Sequence, residues 1–294
     1  MNVIPAKVAG VDQVIMMTPA RESEEENRVA GIDAAVLVAA DIAGVDTIFR
    51  LGGAQAIAAM AYGTESVPKV DKITGPGNIY VALAKKAVFG HVSIDSVAGP
   101  SEVLVLADET AEASFVAADL LAQAEHDVLA SAILITTEVK LAEEVNQKID
   151  EYCETLSRAD IIRQSLENYG AIFIAKDEQA MIDAANGIAS EHVEIMTKDP
   201  YRTMCGIRHA GAIFLGPWTP EPVGDYFAGP NHILPTNGTA RFFSPLNVDD
   251  FIKKTSLIAY SREALYHVQE DVRRFANAEG LTAHANSIAV RITE

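Results

Sequence analysis

Lys72-Ile73-Thr74-Gly75-Pro76-Gly77-Asn78-Ile79-Tyr80-Val81-Ala82-Leu83-Ala84-Lys85-Lys86-Ala87-Val88-Phe89 reads as a short buried strand over 72–74, a glycine turn, and a helix over 78–89. The same rhythm surrounds it. Val14–Met17 and Thr47–Leu51 read as strands, and Val29–Ala43 and Ala54–Tyr62 as alanine-rich helices. Gly52-Gly53-Ala54-Gln55 is a second glycine turn between a strand and a helix. Strands alternating with helices predict βαβ units and parallel sheets. Ser96-Val97-Ala98-Gly99-Pro100-Ser101 interrupts the pattern and is read as a lobe boundary.

The rhythm restarts beyond the boundary. Strands are expected at Glu102–Leu106, Ala132–Thr136 and Ala171–Ala175, and helices at Glu112–Glu125, Leu141 to about Leu156 and Glu178–Ala189. From Gly206 to Pro245 the chain is rich in Gly, Pro, Asn and aromatics, and little regular structure is expected there. A stretch of that length is usually functional. Arg262–Asn277 and Leu281–Ile292 read as helices separated by a stop at Gly280, and Met1–Ala9 as the tail of an amphipathic helix. The fold class is therefore α/β: two incomplete Rossmann-like lobes with parallel-type sheets and a C-terminal helical segment.

Composition narrows the function. The 294 residues carry 23 Lys+Arg against 41 Asp+Glu, a net charge of -18, which argues against general attraction to nucleic-acid phosphates or anionic lipid. Hydrophobic residues make up 49% and charged residues 22%, a balance that supports a folded core rather than disorder. Two distant cysteines, Cys153 and Cys205, exclude a disulfide scaffold or a four-cysteine zinc module and suit a reducing cytosol. No apolar run is long enough to span a bilayer, and the start lacks the ordered regions of a signal peptide.

Individual motifs are weaker than their sum. Gly75-Pro76-Gly77-Asn78-Ile79-Tyr80 carries the first two glycines of a dinucleotide fingerprint, with Asp95 at about the right distance for a ribose-binding acid. Tyr80 stands where the third glycine belongs, and Pro76 removes a backbone donor. A plain turn with a helix cap explains that motif at least as well. The paired glycine turns strengthen a phosphate-facing rim, because helix N-termini favour anions. Gln123 and His126 are spaced i, i+3 at the end of an expected helix and would share one face. A glutamine amide is a poor zinc ligand, and a polar helix end is the plainer reading. Ser190-Glu191-His192-Val193-Glu194 places a proton acceptor for neutral pH beside a carboxylate able to activate water, though on spacing alone a charged helix end is the better reading. Asp225, His232 and His284 are further candidate ligands that spacing cannot rank; His91, His209 and His267 read as structural or exposed. Ser101 lacks the surroundings of a nucleophile.

Together these stretches resemble the histidinol dehydrogenase family over essentially the whole chain. Ile94-Asp95-Ser96-Val97-Ala98-Gly99-Pro100-Ser101-Glu102 is the most distinctive. Gly52–Ala56, Gly75–Asn78, Gln123–His126, Ser190–His192, Gly224–Tyr226, Asn231-His232 and Glu279–His284 follow in family order. The resemblance implies oxidation of L-histidinol to L-histidine through the aldehyde, with two NAD, as the last step of histidine biosynthesis. It implies zinc held by Gln123, His126, Asp225 and His284, with His192 as the base and Glu191 activating water. It also implies substrate contacts from Ser101, Glu279 and His232 alongside the zinc ligands and His192, and NAD contacts from Gln55 and Asn78.

The implied organisation is an NAD lobe over residues 1–100, a substrate and zinc lobe over 101–246, and a segment over 247–294 reaching into a partner. The expected assembly is a cytoplasmic homodimer in which Glu279 and His284 serve the opposite subunit. The resemblance also implies a segment ahead of Met1 that completes the substrate lobe and supplies an aromatic NAD contact, so the chain is expected to be a truncated form. Two alternatives stay open: a dehydrogenase of another small alcohol, such as a sulfonated diol, and an inactive fragment.

Overall fold

Apolar runs become short strands and alanine-rich stretches become helices in a computed structural model that describes residues 1–20, 28–29 and 31–292. The chain opens with α1 (Val3–Val8) and β1 (Ile15–Met17), then an antiparallel pair, β2 (Arg28–Val29) and β3 (Ile32–Asp33). There follow α2 (Ala34–Ala43), β4 (Thr47–Phe49), α3 (Gly53–Tyr62), β5 (Lys72–Ile73), α4 (Ile79–Val88) and β6 (Ser93–Ile94). The second half runs β7 (Glu102–Ala107), α5 (Ala113–Ala124), β8 (Ser131–Thr136), α6 (Val139–Cys153), α7 (Ala159–Tyr169) and β9 (Gly170–Ile174). It continues with α8 (Glu178–Ile188), β10 (His192–Met196), α9 (Pro200–Met204), β11 (Ala212–Leu215) and α10 (Glu221–Tyr226), then two single 3-10 turns. These elements lie in one compact unit, Met1–Ile252. A second unit, Lys253–Glu294, holds α11 (Arg262–Ala278) and α12 (Thr282–Ala289).

In the N-terminal half β1 pairs with β4 and β5 with β6, both parallel. Ile57 and Met60 of α3, Val88 of α4, and Ile73 and Ile94 of the strands form one core with Ile15, Met17 and Phe49 packed against it. Beyond the boundary, five strands form an all-parallel sheet in the order β11-β10-β7-β8-β9. Its side chains divide with a period of two. Val103, Val105 and Ala107 of β7 pack beneath α5, α6 and α7. Leu104 and Leu106 pack on the other face with Val193 and Ile195 of β10 and with α8. Both faces are buried along β7 and β10, as a parallel sheet favours, whereas the edge strand β9 leaves Phe173 and Ile174 exposed; each fully buried aliphatic side chain contributes about 1.5–3 kcal/mol.

Several expectations are corrected. The helix expected over Val29–Ala43 begins only at Ala34, because Asp33 caps it by accepting a hydrogen bond from the Ala35 N–H at 2.8 Å; part of the expected stretch, residue 30, lies outside the described residues. The charged helix ends at Cys153, and α7 follows it as a separate element. The stretch expected to be irregular, Gly206–Pro245, contains β11 and α10. Gly280 does end α11, in the left-handed conformation with φ +75. Both cysteines are free, Cys153 buried and Cys205 exposed.

Asp95 is not available to a ribose. It is buried in an ion pair with Lys85 of α4, and its second oxygen accepts from the Gly75 N–H at 2.7 Å. The Lys85 ammonium also donates to the Gly75 carbonyl at 2.9 Å. One buried pair thus ties α4, the end of β6 and the glycine turn into a single unit. Gly77 has no room for a side chain, since a Cβ there would stand 2.5 Å from Val81. Gly77 thus keeps the glycine turn tight against the first turn of α4, and Tyr80 points outward, 69% exposed. Removing the cation alone should cost about 3–5 kcal/mol, the penalty for a buried charge left unpaired. Urea unfolding of Lys85→Met should show that loss. The double variant Lys85→Met with Asp95→Asn should recover part of it; equal losses in both would mean the pair is not the clamp described.

Candidate active site

The site gathers at the edge of the sheet where β7 and β10 begin. Parallel pairing sets His192 opposite Val103, which brings Glu102, at the start of β7, against Glu191 and His192. The Glu102 N–H donates to Glu191 Oε2 at 3.1 Å, and the Glu191 N–H returns a bond to the Glu102 carboxylate at 3.4 Å. The Glu102 carbonyl lies 3.0 Å from His192 Nδ1. A carbonyl can only accept, so Nδ1 carries the proton and Nε2 keeps its lone pair. His232 is fixed the same way, its Nδ1 donating to the Asp225 carbonyl at 3.0 Å.

Burial sets the charge states. His192 is 4% exposed, and desolvation lowers its pKa, so it is neutral and able to take a proton near neutral pH. Glu191 is pushed up to about 8, chiefly by desolvation and further by the charges of Glu102, Asp225 and Glu221, against the Glu102 N–H bond that lowers it. It holds its proton at neutral pH and becomes a carboxylate above.

Two helices end at this edge. Gln123 lies in the last turn of α5 and Asp225 in the last turn of α10. The C-terminal end of a helix carries partial negative charge, which favours a cation. His192, Glu221 and Asp225 each offer a ligand atom within 4.8 Å of the others. Both polar atoms of the Gln123 amide are buried without a hydrogen-bond partner, which is costly unless a ligand meets them. Among the described residues no lysine or arginine forms an ion pair with Glu191, Glu194, Glu221 or Asp225. This concentration of carboxyl groups, with an orphaned amide and basic imidazoles, fits a divalent cation bound through N and O donors.

The placement of the candidate residues differs in detail from the sequence reading. His126 lies just beyond the end of α5, in a turn where its N–H donates to the Gln123 carbonyl at 3.2 Å, and it is exposed where Gln123 is buried. It is still close enough to lower the pKa of His192 through its charge, as is His232. Asp225 lies within α10 rather than in irregular chain. Ser101 immediately precedes β7, next to Glu102. Gln55 is exposed in the first turn of α3, and Asn78 caps α4 by accepting from the Val81 N–H at 3.2 Å. Glu279 and His284 belong to the second unit, where Glu279 ends α11 and His284 lies in the first turn of α12. Sequence reading missed Glu102, Glu194 and Glu221 as parts of the site. Glu194 had a readable signal: it is an acid inside the apolar strand His192-Val193-Glu194-Ile195-Met196.

The motif Asp95–Glu102 is explained by its contacts. Gly99 donates its N–H to Thr236 Oγ1 at 2.6 Å, and a Cβ there would stand 2.9 Å from Asn237. The Asn237 N–H donates to the Glu102 carboxylate at 3.1 Å. The motif thus clamps the glycine turn at one end and holds the His192 anchor at the other.

Comparison with known proteins gives a consistent result. The family model described as histidinol dehydrogenase matches residues 1–292. Histidinol dehydrogenase from Bacillus cereus is 57% identical over 294 residues, which is 100% of this chain and 67% of that protein. The enzyme of that name from Clostridium acetobutylicum is 55% identical over 291 residues, covering 99% of this chain and 66% of the relative. The crystal structure of histidinol dehydrogenase from Elizabethkingia anophelis superposes with a TM-score of 0.91 at 38% identity, over 99% of this chain and 66% of that one. The chain spans about two thirds of the length of these relatives.

The Glu191 carboxyl binds its proton more tightly folded than unfolded, so its contribution to stability is complete below about pH 4.5 and is lost as pH rises through about 8. Glu191→Gln should remove that contribution. Denaturant unfolding across this window should give a shallower decline for the variant than for the parent; parallel pH profiles would contradict the assignment.

Proposed function

The chain belongs to the histidinol dehydrogenase family, and from that premise we propose that it oxidises L-histidinol to L-histidine through L-histidinal, using two NAD, as the last step of histidine biosynthesis. The observation that carries this reading is the anchored, neutral His192 beside a protonated Glu191 at an edge rich in cation ligands. Gln123, His126 and Asp225 are the proposed zinc ligands from one subunit, with His284 contributed by a second copy in a homodimer. Bound zinc would supply a Lewis acid for the substrate's amine and imidazole, and NAD would accept hydride.

His192 takes the alcohol proton on Nε2, since Nδ1 is held by the Glu102 carbonyl. The same nitrogen accepts a proton again in the second oxidation. Glu191, once ionised, takes a proton from the water that adds to the aldehyde. Its raised pKa makes that step faster as pH rises towards about 8. Ser101, His232 and Glu279 are proposed substrate contacts, as are His192 and the zinc ligands. Gln55 and Asn78, at the helix starts after the two glycine turns, are proposed NAD contacts, where helix N-termini suit a pyrophosphate. Retention of Glu279 and His232 favours an imidazole-bearing substrate over a sulfonated diol. No helix among the described residues is long and apolar enough to cross a membrane, which accords with a proposed cytoplasmic location.

Purified protein supplied with zinc, NAD and L-histidinol should produce NADH, and its gene should restore growth of a histidine auxotroph. Turnover only on another alcohol would overturn the substrate assignment; neither turnover nor bound zinc would leave an inactive fragment. Glu191→Gln should slow oxidation of supplied L-histidinal roughly 10²–10⁴-fold, with a smaller effect on the first hydride transfer. Mixing a Glu191→Ala subunit with a His284→Ala subunit should restore activity if sites are shared. Mixed dimers as inactive as either parent would refute sharing.

A further inference from the structure

The side chain of Glu102, which the mechanism does not use, joins three segments. Glu102 opens β7, half-buried, and each of its carboxylate oxygens accepts a backbone N–H from far along the chain. Oε2 accepts from Glu191, 89 residues away, at 3.4 Å, and Oε1 accepts from Asn237, 135 residues away, at 3.1 Å. Among the described residues no lysine, arginine or histidine forms an ion pair with this carboxylate. Its partners are backbone donors, which a carboxylate binds in charge-assisted hydrogen bonds.

Both partners belong to segments whose backbone needs outside support. Among the described residues, only two that are not glycine adopt the left-handed conformation: Ala189, with φ +58, and Asn237, with φ +56. Such residues persist where the surrounding structure over-determines them. Ala189 follows α8 and stands two residues before Glu191. The loop 236–241 grips this turn at both ends. Arg241 donates to the Gly187 carbonyl at one end, and Asn237 reaches the Glu191 backbone through the Glu102 carboxylate at the other. Thr236 secures the loop itself by accepting from the Gly99 N–H at 2.6 Å.

We propose that Glu102 is a positioning residue: its carboxylate couples the loop 236–241 to the turn before β10 and so fixes where Glu191 and His192 stand. The proposal rests on the catalytic reading of that pair given above. The Glu102 backbone holds the Glu191 carboxyl and the His192 ring, and the side chain adds a hold on the chain that carries them. A displacement of about 1 Å at reacting groups can cost about 10²-fold in rate. A loop that takes no part in the chemistry thus sets its speed.

The test is amide hydrogen exchange at Glu191 and Asn237 in the purified full chain, with steady-state kinetics on L-histidinol as a second readout. Glu102→Gln keeps the size of the side chain but offers one acceptor oxygen and sets an NH2 group against the other donor. One of the two amides should therefore exchange roughly 10–100-fold faster, while the other stays near the parental rate. Glu102→Met, with no acceptor of comparable strength, should free both. In each variant kcat should fall about tenfold or more with KM within about threefold, because Glu102 positions the pair rather than binding substrate. Parental exchange at both amides in Glu102→Gln overturns the proposal, and decides alone if the methionine variant fails to fold. So does faster exchange with kcat unchanged. A parent chain that does not turn over L-histidinol overturns the functional reading instead, and exchange at the two amides then still decides the coupling.

Discussion

The site depends on the register of β10 against β7. His192 stands opposite Val103, and this alone lets the Glu102 backbone hold both the Glu191 carboxyl and the His192 ring. A slip of one residue would turn His192 and Glu194 to the α8 face and put Val193 among the carboxyl groups. That slip is opposed from both sides at once. Val193 and Ile195 are fully buried in one core and Met196 in the other. The apolar packing that stabilises the sheet therefore also holds the geometry of the site, and neither can shift without the other.

Polarity then divides the labour between the two halves of the larger unit. The glycine turns precede α3 and α4, so helix starts and their free N–H groups face outward there. In the second half the functional side chains sit where α5 and α10 end. Starts favour anions and ends favour cations. The chain thus offers a phosphate-compatible rim in one half and a cation-compatible edge in the other, using the same kind of secondary structure. The cation edge lies where the parallel strands begin, opposite the usual ligand crevice of an open α/β sheet.

How much of this was legible follows physical lines. The period-two strands and the alanine-rich helices were readable because burial imposes their pattern, and the elements from β7 to α8 fall close to the expected bounds apart from α7. Short elements in polar chain were not. The six residues of α10 include Pro222 and Gly224, poor helix formers whose helix rests on tertiary packing of Gly224 against Phe214. The motif around Gly75 read as an equivocal cofactor fingerprint because its acid, Asp95, is consumed by Lys85. A single sequence shows the spacing of an acid but not its partner. The further carboxyl groups of the site escaped for the same reason: Glu102, Glu194 and Glu221 are scattered over the chain and meet only through the sheet.

Thr236 and Asn237 close the site across 137 and 135 residues of chain, through Gly99 and Glu102. Contacts of such separation form late, since the intervening loop entropy must be overcome first. During synthesis the two glycine turns and the first core can fold while this closing segment is still unmade. The carboxyl groups of Glu102, Glu191 and Glu194 are brought together by the pairing of β10 with β7, while Glu221 meanwhile remains apart in water, where it is ionised at little cost. It joins them only when the last third of the chain arrives. The order in which the polypeptide is made thus defers the electrostatically most expensive assembly until the apolar packing that can sustain it is already in place.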